Sequence, residues 1–186
     1  MENEAVLSLG NAMVYVGAFA ALAFSAMGSV FGTGFSASAA IGAWKKCYVQ
    51  KRPAPFQLII LCGVPLSQTI YGMILMFVML QYGHAAVWPV YVGMGVLGGL
   101  CIGGTAWYQG KGCAAACDAF GDTNEGFINY LMVFGVIETV AIFVLAFGIV
   151  VVITLDKSLS VDVLSQSLQH AKEAVEAVAA QPALDK

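Results

Sequence analysis

The sequence predicts an all-α membrane protein: four transmembrane helices arranged as two tandem, duplicated helical hairpins. Three observations carry this. The 186 residues are 60% hydrophobic and only 10% charged, with mean hydropathy +0.83. A soluble domain needs roughly a quarter charged residues to cover its surface, so lipid must be the main solvent. Long charge-free stretches recur four times, and the two halves of the chain resemble each other.

The spans follow in order. A transmembrane helix needs about 20 apolar residues. No charged residue occurs from Ala5 to Trp44, from Pro55 to Tyr82, or from Ala85 to Gly110, and only Glu138 occurs from Gly126 to Leu155. The predicted spans are 10–44, 55–82, 86–120 and 126–155, giving a first hairpin over 1–82 and a second over 83–155. Lys45, Lys46, Lys51, Arg52, Pro53 and Pro55 break the chain after span one. Gly83, His84 and Pro89 break it after span two, and Gly121 to Glu125 after span three. Asp122 to Asn124 are candidate caps for the fourth helix. The start, Met1-Glu2-Asn3-Glu4, is acidic and leads into a long span, so no cleaved signal is expected. The positive first loop orients the chain with loops one–two and three–four in the cytoplasm and both termini outside. The tail, 156–186, is polar, with weak helical spacing through Val161, Leu164, Leu168, Val175 and Val178. It reads as a short surface helix or a flexible end without chemistry.

Ser67-Gln68-Thr69-Ile70-Tyr71-Gly72 aligns with Ile137-Glu138-Thr139-Val140-Ala141-Ile142, and Phe31-Gly32-Thr33-Gly34 with Gln109-Gly110-Lys111-Gly112. Such parallel repeats describe a duplicated hairpin. Spans one and three carry small residues four apart: Gly28, Gly32, Ser36 and Ala40, then Gly95, Gly99 and Gly103. Small residues on one face let helices approach closely in lipid. Spans two and four are rich in Ile, Leu, Met, Phe and Val. The expected layout is an inner layer of spans one and three and an outer, lipid-facing layer of two and four. Ordinary packing within one chain and packing between many copies both use such an inner surface. Five cysteines without a CxxC pair read as packing residues or free thiols. There is no basic patch for nucleic acid and no His/Cys/carboxylate cluster for a transition metal.

Glu138 lies near the middle of span four. A charged carboxylate at the bilayer centre costs at least about 2.5–3.5 kcal/mol, so such a residue usually carries an ion, meets a cation or is protonated. Gln68 is its repeat counterpart. Val64, Ser67, Gln68 and Tyr71 share one helical face. Pro65 lacks an N–H and can kink the helix, loosening nearby carbonyls. At about 1.5 Å per residue, Gln109 and Glu138 lie roughly 30 and 25 Å from the same outer side. Singly, a membrane Gln or Ser is interhelical glue as readily as a ligand. Together these groups form an all-oxygen cage with one negative charge, which suits a monovalent hard cation. A proton needs only the carboxylate, so the extra oxygens favour Na⁺ over H⁺. Tyr71 can hold the carboxylate by a hydrogen bond.

These residues resemble the proteolipid ring component (the K or c type) of rotary V-type ATPases, notably the bacterial Na⁺-translocating type. The resemblance rests on Val64-Pro65-Leu66-Ser67-Gln68-Thr69-Ile70-Tyr71-Gly72, Gln109-Gly110 and Val136-Ile137-Glu138-Thr139, and covers roughly residues 10–155. It implies a rotor ring of identical copies, non-catalytic, each carrying one Na⁺ on Glu138. Gln109, Gln68, Ser67 and the Val64 carbonyl are the further ligands it implies, with Tyr71 bonded to Glu138. It also implies a stator protein bearing an arginine, central-stalk proteins at the cytoplasmic loops, and ATP hydrolysis on separate subunits. Ser67 stands where the Na⁺ pattern has Thr, Gly135 where some members have Pro, and the tail runs past the usual end. The same ring coupled to H⁺, a structural four-span protein without ion transport, and a small secondary transporter are the rival readings.

Overall fold

The computed structural model describes residues 2–179, all of whose regular elements are helical. Helix α1 spans Glu2–Val49. It ends where Lys51 takes a positive φ of 55° and Pro53 follows, since proline cannot continue a helix. The second span is divided into α2 (Leu58–Gly63), a 3₁₀ turn (Val64–Leu66) and α3 (Ser67–Tyr82). Pro65 sits in that turn, buried, at the break its missing N–H predicts. A second 3₁₀ turn, Ala85–Val87, leads into α4 (Trp88–Thr123), which has Pro89 in its first turn. Helix α5 spans Phe127–Ala179. Four helical segments are long and apolar enough to cross a membrane.

Two boundaries differ from the sequence expectation. Asp122 to Asn124 do not cap the start of the fourth helix. Asn124 instead closes the end of α4 in the left-handed conformation (φ 57°), its N–H bonded to the Phe120 carbonyl at 2.7 Å. Asparagine tolerates that conformation, which satisfies an orphan carbonyl at the helix end. The second difference is the tail. It is neither a separate surface helix nor a flexible end through Ala179; it continues α5 without a break. No Gly or Pro lies between Gly148 and Pro182, so nothing in the backbone stops the helix when the side chains turn polar. The part of the tail beyond Ala179 lies outside the described residues.

Helices α1 and α4 form the tightest pair. A Cβ on Gly28 would collide with the backbone of Gly103, one on Gly95 with the Gly17 carbonyl, and one on Gly110 with the backbone of Gly32. Those three crossings run along the whole seam, so the small-residue faces bring the two backbones into direct contact. Helix α3 packs on α1, where Gly72 meets Ser25, and α5 packs on α4 and α3. One apolar cluster joins Leu75, Met79, Tyr91, Ile102 and Val152; another joins Leu58, Leu61, Cys113, Cys117 and Phe120. The outward side of α5 leaves Ile128, Met132, Val136, Phe143 and Phe147 exposed, as a lipid-facing helix does.

Candidate ion-binding site

The two clusters leave a polar layer between them. Its first part is built by the 3₁₀ turn. There the Val64 carbonyl accepts both the backbone N–H and the hydroxyl of Ser67, the latter at 3.1 Å. The Ser67 hydroxyl also lies 3.2 Å from the Gln68 amide oxygen. The Gln68 amide nitrogen donates to the Gln109 amide oxygen at 2.8 Å. The Gln109 amide nitrogen donates to the Phe134 carbonyl at 3.1 Å. Both glutamine side chains are fully buried (0% exposed), so their polar atoms must find partners inside the protein. The network ties α3 to α4 and α4 to α5 at one depth.

Glu138 lies one helical turn beyond Phe134. The Tyr71 hydroxyl donates to its carboxylate at 2.5 Å, crossing from α3 to α5. Hydrogen bonds to a charged acceptor are short and about twice as strong as neutral ones. The carboxylate is half-buried, and among the described residues no Lys or Arg pairs with it. Tyr71 lies one turn from Ser67 on α3, which brings Glu138 beside the glutamine pair.

All six residues named from the sequence therefore fall in one layer. Val64, Ser67, Gln68 and Gln109 are joined directly, while Glu138 meets the group through Tyr71 rather than through a bond to either glutamine. Three polar groups here escaped the sequence reading. The Phe134 carbonyl is a backbone group whose only signal was its place four residues before Glu138. The buried hydroxyls of Ser29 and Thr33 on α1 have no hydrogen-bond partner. Ser29 lies one turn from Ser25, which packs on Gly72, and so stands level with Gln68.

Comparison with known families bears on the second hairpin. Residues 92–151 match the ATP synthase C-subunit family. The matched stretch holds both Gln109 and Glu138. No curated protein matches the chain. The family match supports a rotary ATPase proteolipid: a non-catalytic, ion-translocating rotor component, with hydrolysis on other subunits. Members of that family form homo-oligomeric rings beside a membrane stator. Four apolar helices and this match together give a multi-pass membrane protein.

Charged contacts lie at the two ends of the bundle. Lys46 meets Asp118 at 2.6 Å and Asp122 at 3.4 Å, and Arg52 donates to the Asp122 carbonyl at 3.0 Å. These tie the end of α1 and the loop after it to the end of α4. The hydrogen bond to Asp118 holds the Lys46 ammonium above the usual lysine range. At the other end His84 meets Asp156 at 2.8 Å, where α5 leaves the bundle.

Proposed function

We propose that the chain is the rotor-ring proteolipid of a bacterial, V-type rotary ATPase and carries Na⁺ as its cargo. The observation that supports this best is the buried Gln68–Gln109 pair beside the Tyr71–Glu138 contact. A proton requires only the carboxylate. Two fully buried amides, a hydroxyl and a turn carbonyl at the same depth are an expensive addition for that purpose, because each must stay paired. They are the oxygen donors a desolvated Na⁺ needs.

In this reading Glu138, Gln109, Gln68, Ser67 and the Val64 carbonyl are the ligands. Without the ion these donors satisfy one another. Entry of Na⁺ exchanges the Ser67–Gln68 and Gln68–Gln109 contacts for ion contacts, and the carboxylate balances the single charge. Tyr71 keeps Glu138 in its ligating rotamer. A neutralised site can pass through hydrocarbon, whereas a bare carboxylate is held back by the cost of a charge in lipid. Release follows when an arginine of the stator takes over the carboxylate's charge. In this reading loops one–two and three–four face the cytoplasm and the central stalk, with both termini outside, as the positive first loop favours.

The test is the rate at which a carbodiimide modifies Glu138 in the purified protein, at fixed pH, with NaCl or KCl. The reagent attacks the protonated carboxyl, so bound Na⁺ slows it. Protection by Na⁺ alone is expected. A rate that follows pH and ignores Na⁺ would replace this reading with a proton-coupled ring.

A further inference from the structure

Helix α1 carries a row of hydroxyls at three- and four-residue spacing: Ser25, Ser29, Thr33 and Ser36. They differ in one respect. Ser25 bonds back to the Ala21 carbonyl at 2.7 Å and Ser36 to the Gly32 carbonyl at 3.1 Å, the local bond that a buried helix hydroxyl can make. The Ser29 and Thr33 hydroxyls, buried between them, make none. A buried polar group without a partner is costly, and nothing in the ion-carrying scheme uses these two.

Their place follows from two close approaches. A Cβ on Gly72 would meet Ser25, and one on Gly32 would meet Pro65, so α1 and the second span run antiparallel with those pairs opposite each other. Four residues on from Ser25 is Ser29, and four back from Gly72 is Gln68. One further turn sets Thr33 opposite Val64. The two unpartnered hydroxyls therefore face the level of two ligands of the sodium reading. Ser29 and Gln68 are both buried.

Loading the site creates a need at this level. The Gln68 amide nitrogen donates to the Gln109 oxygen at 2.8 Å. With Na⁺ bound, both glutamine oxygens turn to the ion. An amide carries its oxygen and its N–H pair on opposite sides, so presenting the Gln68 oxygen turns its nitrogen away from Gln109. The Val64 carbonyl and the Ser67 hydroxyl are then ion ligands, and the Phe134 carbonyl already accepts from Gln109. The acceptor left opposite Gln68 is the unpartnered Ser29 hydroxyl.

We propose that Ser29 is a positioning residue for Na⁺: its hydroxyl accepts the Gln68 amide N–H in the loaded site and so holds the Gln68 oxygen on the ion. Ser29 in turn donates to Thr33, one turn along the same face, so both orphan hydroxyls gain partners together. The inference rests on the sodium reading of the site. Because the bond forms only with the ion in place, it favours the loaded state alone.

The assay is the NaCl concentration that half-protects Glu138 of the purified full-length protein from carbodiimide at fixed pH, with the thermal midpoint measured in Na⁺-free buffer. Ser29→Ala should raise the half-protecting concentration about fivefold, as the loss of one neutral hydrogen bond does. Its midpoint without Na⁺ should equal or exceed that of wild type, because only an unpartnered hydroxyl is lost. Thr33→Val, of nearly the same shape, should shift protection the same way by less, and Thr33→Ser should keep it. Ser25→Ala, whose hydroxyl already has its own carbonyl, is expected to leave protection unchanged. Full wild-type protection in Ser29→Ala would overturn the proposal while leaving the sodium site intact. So would a Na⁺-free midpoint that falls in Ser29→Ala, which would mark the hydroxyl as bonded whether or not the ion is present. A wild type that Na⁺ does not protect at all would instead remove the sodium reading, and this inference with it.

Discussion

The α1–α4 seam makes a prediction that isolates backbone contact from everything else. Gly28→Ala adds one methyl where its Cβ would collide with the carbonyl and Cα of Gly103. The obstacle is backbone, so no side chain can swing aside and the helices must part. Overpacking of this kind costs about 1–3 kcal/mol even where side chains can adjust. Alanine also favours the helix over glycine by about 0.5–1 kcal/mol, which works in the other direction. The net expectation is a loss at the upper end of that range, because parting the seam at Gly28 also disturbs its neighbours Gly17–Gly95 and Gly32–Gly110. Gly34→Ala is the matched control. It lies on the same helix, with nothing within 4 Å of the added Cβ, and is expected to be neutral or slightly stabilising. The assay is the thermal midpoint of the purified protein in one detergent, followed by helix circular dichroism. A Gly28→Ala protein as stable as Gly34→Ala would refute the argument. It would mean that α1 and α4 do not meet backbone to backbone.

Three further outcomes are expected. Gln109→Ala leaves the buried Gln68 amide nitrogen without its acceptor, at about 1–3 kcal/mol. It should lower the thermal midpoint and raise, by about tenfold or more, the Na⁺ concentration needed to protect Glu138 from carbodiimide. Tyr71→Phe removes one hydrogen bond to a charged group, about 1.5–3 kcal/mol, and should weaken Na⁺ protection about 10- to 100-fold while the fold survives. The Lys46–Asp118 contact raises the folded-state pKa of Lys46, so its stabilisation is fully present below the ordinary lysine value of 10.5 and is lost as pH rises above it. Wild type should therefore lose thermal stability above that pH more steeply than Lys46→Met, a small effect because the pair is exposed.

Much of this was legible in the sequence because lipid is a severe solvent. A single carboxylate in span four, two glutamines and a proline were conspicuous against apolar surroundings, and the structure brings Gln68 to Gln109 and Tyr71 to Glu138. The glycine spacing of spans one and three likewise announced a close seam, although it could not say that Gly28 would meet Gly103. What stayed hidden was whatever depends on backbone conformation. Helix continuity past Leu155 needs no apolar side chains, only the absence of a breaker, so a polar tail looked like an end. Asn124 could serve either adjacent helix until its φ was known. The Phe134 carbonyl has no side-chain signature at all.

Equilibrium binding of radioactive Na⁺ to the purified protein tests the central claim most directly. Saturable binding of one ion per chain, abolished in Glu138→Gln and unaffected by excess K⁺, is the predicted result. Absence of saturable Na⁺ binding, in a protein whose Glu138 still reacts with carbodiimide, would contradict it.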